Sequence, residues 1–162
     1  MVRTEFLNDP TGPTPTRVVV AATAFVITGT DDAGRTGRVL LIQRADTGRW
    51  ALPGGALDIG ERITDTAVRE TREETGIDIH ITGLVGVYSN PRHVVSYGDG
   101  EVRQQFSLCF RGSAVGGLPA PSIESLDVRW VDVDDLRFLD IHPEMRLRID
   151  HGLANRPLPY LG

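Results

Sequence analysis

Glu70, Glu73 and Glu74 fall within five consecutive positions of the stretch GALDIGERITDTAVRETREETGI, residues 55–77. At about 100° per residue the three carboxylates share an arc of about 100° on one helical face. Like charges at these offsets repel by about a few tenths of a kcal/mol per pair, so the helix gains nothing from them. A divalent cation reverses that sign. Mg²⁺ takes hard oxygen ligands, commonly one or two carboxylates, and completes its octahedron with water and phosphate oxygens. Four of the eight glutamates (Glu61, Glu70, Glu73, Glu74) lie within 14 residues, and the chain has no lysine to neutralise them. Arg69 reaches Glu73 at i+4, whereas Arg72 points away. The cluster reads as a metal site for phosphate chemistry rather than as a solvated acidic face.

The same residues resemble the Nudix box, G-x5-E-x7-R-E-U-x-E-E-x-G-U with U bulky and aliphatic. Gly55, Glu61, Arg69, Glu70, Glu73, Glu74, Gly76 and Ile77 occupy its positions, and Thr71 stands where an aliphatic residue is usual. On the helical wheel Thr71 lies away from the carboxylates, beside Ala67 and Val68, so the departure concerns packing more than ligation. The resemblance implies a Nudix-like α/β/α sandwich, an α/β (α+β) fold with a mixed sheet and the box as loop-helix-loop. It also implies Mg²⁺-dependent hydrolysis, with Mn²⁺ as an alternative ion, of a pyrophosphate bond in a nucleoside diphosphate joined to another group. By position, Glu70, Glu73 and Glu74 become metal ligands, with the Gly54 carbonyl as a backbone ligand. Glu61 binds metal through water or holds the loop, and Arg69 braces Glu73.

The proton acceptor stays open at this level. Glu70 qualifies, because crowding carboxylates raises the proton affinity of one of them in the absence of metal. Glu124, in a Gly/Pro-rich loop six residues before Trp130, is the alternative, with Glu101 and Asp99 behind it. Nothing in the box selects the leaving group. An ADP-ribose-cleaving subgroup carries a proline about fifteen residues beyond the box, and Pro91 lies 14 past Ile77. A nucleotide sugar such as ADP-ribose is therefore the leading substrate, a deoxynucleoside triphosphate the alternative, and a non-catalytic nucleotide sensor the third reading.

These residues need a scaffold, and 162 residues suffice for one domain with a substantial core. A net charge of −5 argues against nucleic acid as partner. All 17 basic residues are arginine, which removes Walker-A and Schiff-base lysine chemistry. The single cysteine, Cys109, lies on the opposite strand face from Phe106, Leu108 and Phe110, as a packed residue rather than a nucleophile. The longest apolar run, Val18–Ile27, is too short to span a bilayer, and the polar start is no signal peptide, so no membrane partner and a cytoplasmic location are expected.

Residues 1–16, with Pro10, Gly12, Pro13 and Pro15, read as a flexible arm before a single domain over 17–162, and Phe6 and Leu7 of that arm could cross to a neighbour in a homodimer. Strands are expected at Arg17–Thr28, Val39–Gln43, Trp50–Leu52, Ile77–Tyr88, Val102–Arg111 and Val128–Val133. Gly29–Gly37 reads as a hairpin turn, 90–101 as a polar loop holding His93 and Tyr97, and 113–125 as a second loop. The box helix runs Ile63–Thr75 with Gly76 as its terminator, and a last helix runs Pro143–His151, ended by Gly152.

Overall fold

The computed structural model describes residues 3–29 and 37–162. Its spine is β2 (Arg17–Thr28), whose β-branched and small apolar residues suit a pleat covered on both faces. β2 runs parallel to β8 (Val102–Gly117), from Arg17 beside Arg103 to Val26 beside Gly112. The other edge of β8 takes β7 (His93–Tyr97) near its start and β6 (Ile77–Tyr88) along the rest, both antiparallel. β1 (Arg3–Leu7) adds antiparallel to β7. On the far edge of β2 lies β5 (Gly54–Ala56). β3 (Arg38–Arg44) touches β2 only at Ile27 and Thr28, then continues with β4 (Trp50–Ala51) and β9 (Ser125–Asp132). The sheet is mixed.

Two α-helices among the described residues cover it. Because side chains alternate along β2, Ala22, Ala24 and Val26 face one way and pack with Ala67 and Val68 of α1 (Ile63–Thr75) or with strand neighbours on that face. Phe25 faces the other way, with Cys109 and Ile149, the latter from α2 (Pro143–Ala154). A 3-10 turn, Val133–Phe138, links β9 to α2. No helix among the described residues is long and apolar enough to cross a membrane.

Several elements depart from the sequence expectation. Arg3–Leu7, expected in the arm, is a strand, and His93–Tyr97, expected in a loop, is its partner. Neither has a strong alternating pattern; β7 is held between β8 and β1, and β1 by β7. β8 runs on to Gly117 because β6 supplies a partner as far as Ile77. α2 passes through Gly152 and ends at Asn155, which adopts the left-handed conformation. Gly152 is there for closeness: a Cβ would lie 2.5 Å from the Phe25 ring. Gly83 and Gly86 do mark breaks, as register shifts within β6. The expected hairpin turn at Gly29–Gly37 falls, for 30–36, outside the described residues. The tail ends in β10 (Tyr160–Leu161), parallel to β6, with Tyr160 packed on Tyr88 and His151.

Candidate active site

α1 is entered through a turn that a single arginine organises. Arg69 Nε donates to Glu61 Oε1 at 2.6 Å, and its Nη1 to Glu70 at 2.8 Å and Glu73 at 3.0 Å. Glu61 also accepts from Thr66 Oγ1 at 2.9 Å, tying the incoming loop to the first turn. The Arg69 fork, first of all, holds the Glu61 pKa down to about 2. Glu61 therefore secures the loop, and Arg69 braces three carboxylates rather than one. The helix stops at Gly76, at φ 73°, whose N–H returns to the Arg72 carbonyl. Thr71, the departure from the box, is fully buried, and its hydroxyl donates to the Ala67 carbonyl at 2.7 Å. The helix satisfies the polar atom itself, so the substitution leaves nothing unpaired.

The two glycines of β5 bring the backbone against the helix. Gly54 N–H donates to Glu74 Oε2 at 2.8 Å, and a Cβ on Gly55 would lie 2.4 Å from the Glu70 carboxyl carbon. Only glycine permits this approach. Glu70, Glu74 and Glu124 line one cavity of about 250 Å³ with Gly54 and Gly55. Burial, foremost, pushes the Glu74 pKa up to about 7; Glu70 and Glu124 add to the rise, while the Gly54 N–H and Arg44 oppose it. Glu70 is raised too, chiefly by burial, against the pull of Arg69. Burial raises the proton affinity of both carboxylates, and an all-oxygen donor set of this kind suits a hard ion such as Mg²⁺.

The sequence-predicted residues thus separate. Gly54, Glu70, Glu74 and Glu124 meet in the cavity, whereas Glu73 is more than half exposed and Glu61 faces Arg69, neither lining it. Glu101 pairs with Arg103 and Arg17, and Asp99 accepts from the Glu101 N–H, both outside the cavity. Tyr97 lines the cavity, under Arg103 at 4.4 Å, whereas Tyr88 is core.

Sequence reading missed the other end of the cavity. There Glu5 Oε2 lies 3.2 Å from His93 Nε2 and 3.0 Å from His142 Nε2, and Arg3 takes its other oxygen at 2.7 Å. Burial alone would raise the Glu5 pKa, but the His93 hydrogen bond and the Arg3 charge bring it down to about 2. The three ligand atoms lie within 4.8 Å of one another. His142 Nδ1, however, accepts from the Glu144 N–H at 3.3 Å as the cap of α2, so its Nε2 carries the proton and donates to Glu5. The trio is a carboxylate held by donors. No spacing signals it, because its members come from β1, β7 and the start of α2.

Comparison with known proteins places this geometry. A family model described as NUDIX domain matches residues 19–151, and the chain belongs to that family. A MutT-like protein of Streptomyces ambofaciens is 39% identical over 100 residues, which is 62% of this chain and 58% of that protein. An ADP-ribose pyrophosphatase of Methanocaldococcus jannaschii is 32% identical over 118 residues, 70% of this chain and 61% of its own length. The chain thus spans about three fifths of the length of these relatives. The solved structure of a NUDIX hydrolase from Nitrosomonas europaea shares the fold, at TM-score 0.69 and 24% identity, over 91% of this chain and 77% of that one.

Proposed function

We propose that the chain is a pyrophosphohydrolase that cleaves the diphosphate linkage of a nucleotide derivative, with a nucleotide sugar such as ADP-ribose as the leading substrate. The meeting of Glu70, Glu74 and Glu124 at the Gly54–Gly55 turn carries this reading. Glu70, Glu74 and the Gly54 carbonyl would hold Mg²⁺, while Glu61 and Glu73 stay on the Arg69 brace outside the cavity. Bound there, the ion would neutralise phosphate oxygens and make a water more acidic. Arg69 keeps Glu70 from turning away, through the 2.8 Å contact. Glu124 accepts the proton of the attacking water on its carboxylate. Its carboxylate has no hydrogen-bond partner among the described residues, whereas Glu70 is engaged by Arg69. The relative named as an ADP-ribose pyrophosphatase and the position of Pro91 support the choice of substrate.

The test is phosphate release, direct and after added phosphatase, from a panel of ADP-ribose, other nucleotide sugars and deoxynucleoside triphosphates. Wild type, Glu74→Gln and Glu124→Gln are compared with Mg²⁺ and with EDTA. Turnover of ADP-ribose that disappears with EDTA and in Glu74→Gln is expected. Turnover of triphosphates alone would replace the substrate, and binding without turnover would replace the enzyme with a sensor.

A further inference from the structure

Five arginines line the cavity, and four of them have carboxylate partners. Arg3 meets Glu5, Arg44 meets Asp46, Arg49 meets Asp140 and Arg103 meets Glu101. Arg148 of α2 is the exception among the described residues. It is 5% exposed, its Nε has no partner, and its Nη1 donates to the Glu144 carbonyl at 2.7 Å. The Glu144 carboxylate is engaged elsewhere, by Asn90 Nδ2 at 3.0 Å. The guanidinium lies over the Tyr88 ring, 4.6 Å from its centroid. Ser107, the sheet neighbour of Tyr88, is 4% exposed, lines the same cavity, and has an Oγ without a partner. A buried cation with no carboxylate in ion-pair contact is costly, and a buried hydroxyl with no partner adds to that cost. Both costs vanish if an anion arrives, because a guanidinium fork and a hydroxyl donate together to phosphate or carboxylate oxygens.

We propose that Arg148 and Ser107 form an oxyanion subsite at the α2 end of the cavity, for a phosphate or carboxylate carried by the group linked to the nucleoside diphosphate. The substrate half of this statement rests on the hydrolase reading; the subsite itself does not. Glu70 and Glu74 project from α1, so the diphosphate held at the metal and an anion held at Arg148 are read by different elements. Charge on the linked group becomes a specificity determinant, and derivatives that carry it are favoured over neutral ones.

Thermal melting in EDTA tests the subsite without turnover, using inorganic phosphate against chloride at equal ionic strength. Phosphate should raise the wild-type Tm, leave Arg148→Met unmoved and raise Ser107→Ala by less. In chloride, Arg148→Met should melt no lower than wild type, since an uncompensated charge has been removed. An equal phosphate shift in Arg148→Met, or none in wild type, overturns the subsite. A markedly lower Tm of Arg148→Met in chloride overturns it as well, by assigning the arginine to packing on Tyr88. Should Arg148→Met not fold, an undiminished shift in Ser107→Ala does the same. Kinetics with Mg²⁺ then compare ADP-ribose with ADP-ribose phosphorylated on its distal ribose. Wild type should favour the phosphorylated compound by about tenfold or more in kcat/KM, the scale of a charged hydrogen bond, and Arg148→Met should lose the preference. Equal kcat/KM values in wild type overturn the assignment to the linked group. Hydrolysis of neither compound counts against the hydrolase reading alone, and the phosphate melts still decide the subsite.

Discussion

Glu74 concentrates the chemistry of this site in one carboxylate, buried, bonded to the Gly54 N–H and beside two further glutamates. Its pKa rises from 4.5 to about 7, so the metal-free fold binds this proton more tightly than the unfolded chain does. The resulting stabilisation is complete below pH 4.5 and is lost as pH rises through 7. Glu74→Gln, which keeps the shape and cannot ionise, should therefore melt above wild type at pH 8 in EDTA. The two should converge near pH 5, and a denaturant series at both pH values reads the difference, at most about 3 kcal/mol. With Mg²⁺ the order reverses at pH 8, because binding to the carboxylate form stabilises wild type alone. Gly55→Ala makes a second residue-scale test. Its Cβ would lie 2.4 Å from the Glu70 carboxyl, so Glu70 must move, and kcat should fall about a hundredfold while the far-UV spectrum stays native.

At the scale of elements, the loop before α1 depends on Arg69. Arg69→Met should release Glu61 and unbrace Glu70 and Glu73 at once. Metal affinity should fall about ten- to a hundredfold, read as the Mg²⁺ concentration giving half the maximal Tm shift, and Arg69→Lys should restore little of it. α2 offers the opposite lesson. Alanine is a better helix former than glycine by about 1 kcal/mol, yet Gly152→Ala should destabilise by about 1–3 kcal/mol. The reason is the 2.5 Å approach to Phe25, and chemical denaturation gives the sign directly. The same glycine explains why the expected helix end at Gly152 was three positions short of Asn155: composition shows a breaker, and packing shows a close contact. Elsewhere the local signals sufficed. α1 begins at Ile63 and ends at Thr75, and β2 runs from Arg17 to Thr28, because a strong apolar period and a glycine terminator act over one turn or one strand.

Across the whole molecule, the box residues were legible because a metal site on a helix must repeat at helical spacing, a constraint written in the order of residues. That spacing placed Glu70, Glu73 and Glu74 on one face. It could not say which of them would be covered, and the sheet decided that: Glu74 and Glu70 turn into the cavity, while Glu73 remains at the surface. Glu124 was found by its position in a loop before β9, yet only the folding of that loop beside Glu74 brings the two charges to one cavity, where they repel. The constellation at the α2 end of the cavity lay beyond reach of the sequence. Glu5, His93, Ser107, His142 and Arg148 come from β1, β7, β8, the cap of α2 and its middle, separated along the chain by 137 residues between Glu5 and His142. By itself, the sequence determined the family, the helix, its carboxylates and the glycines that admit them, all of which act within one turn or one strand. Tertiary structure alone decided which charges are buried and which find partners, because burial and pairing are properties of neighbours in space.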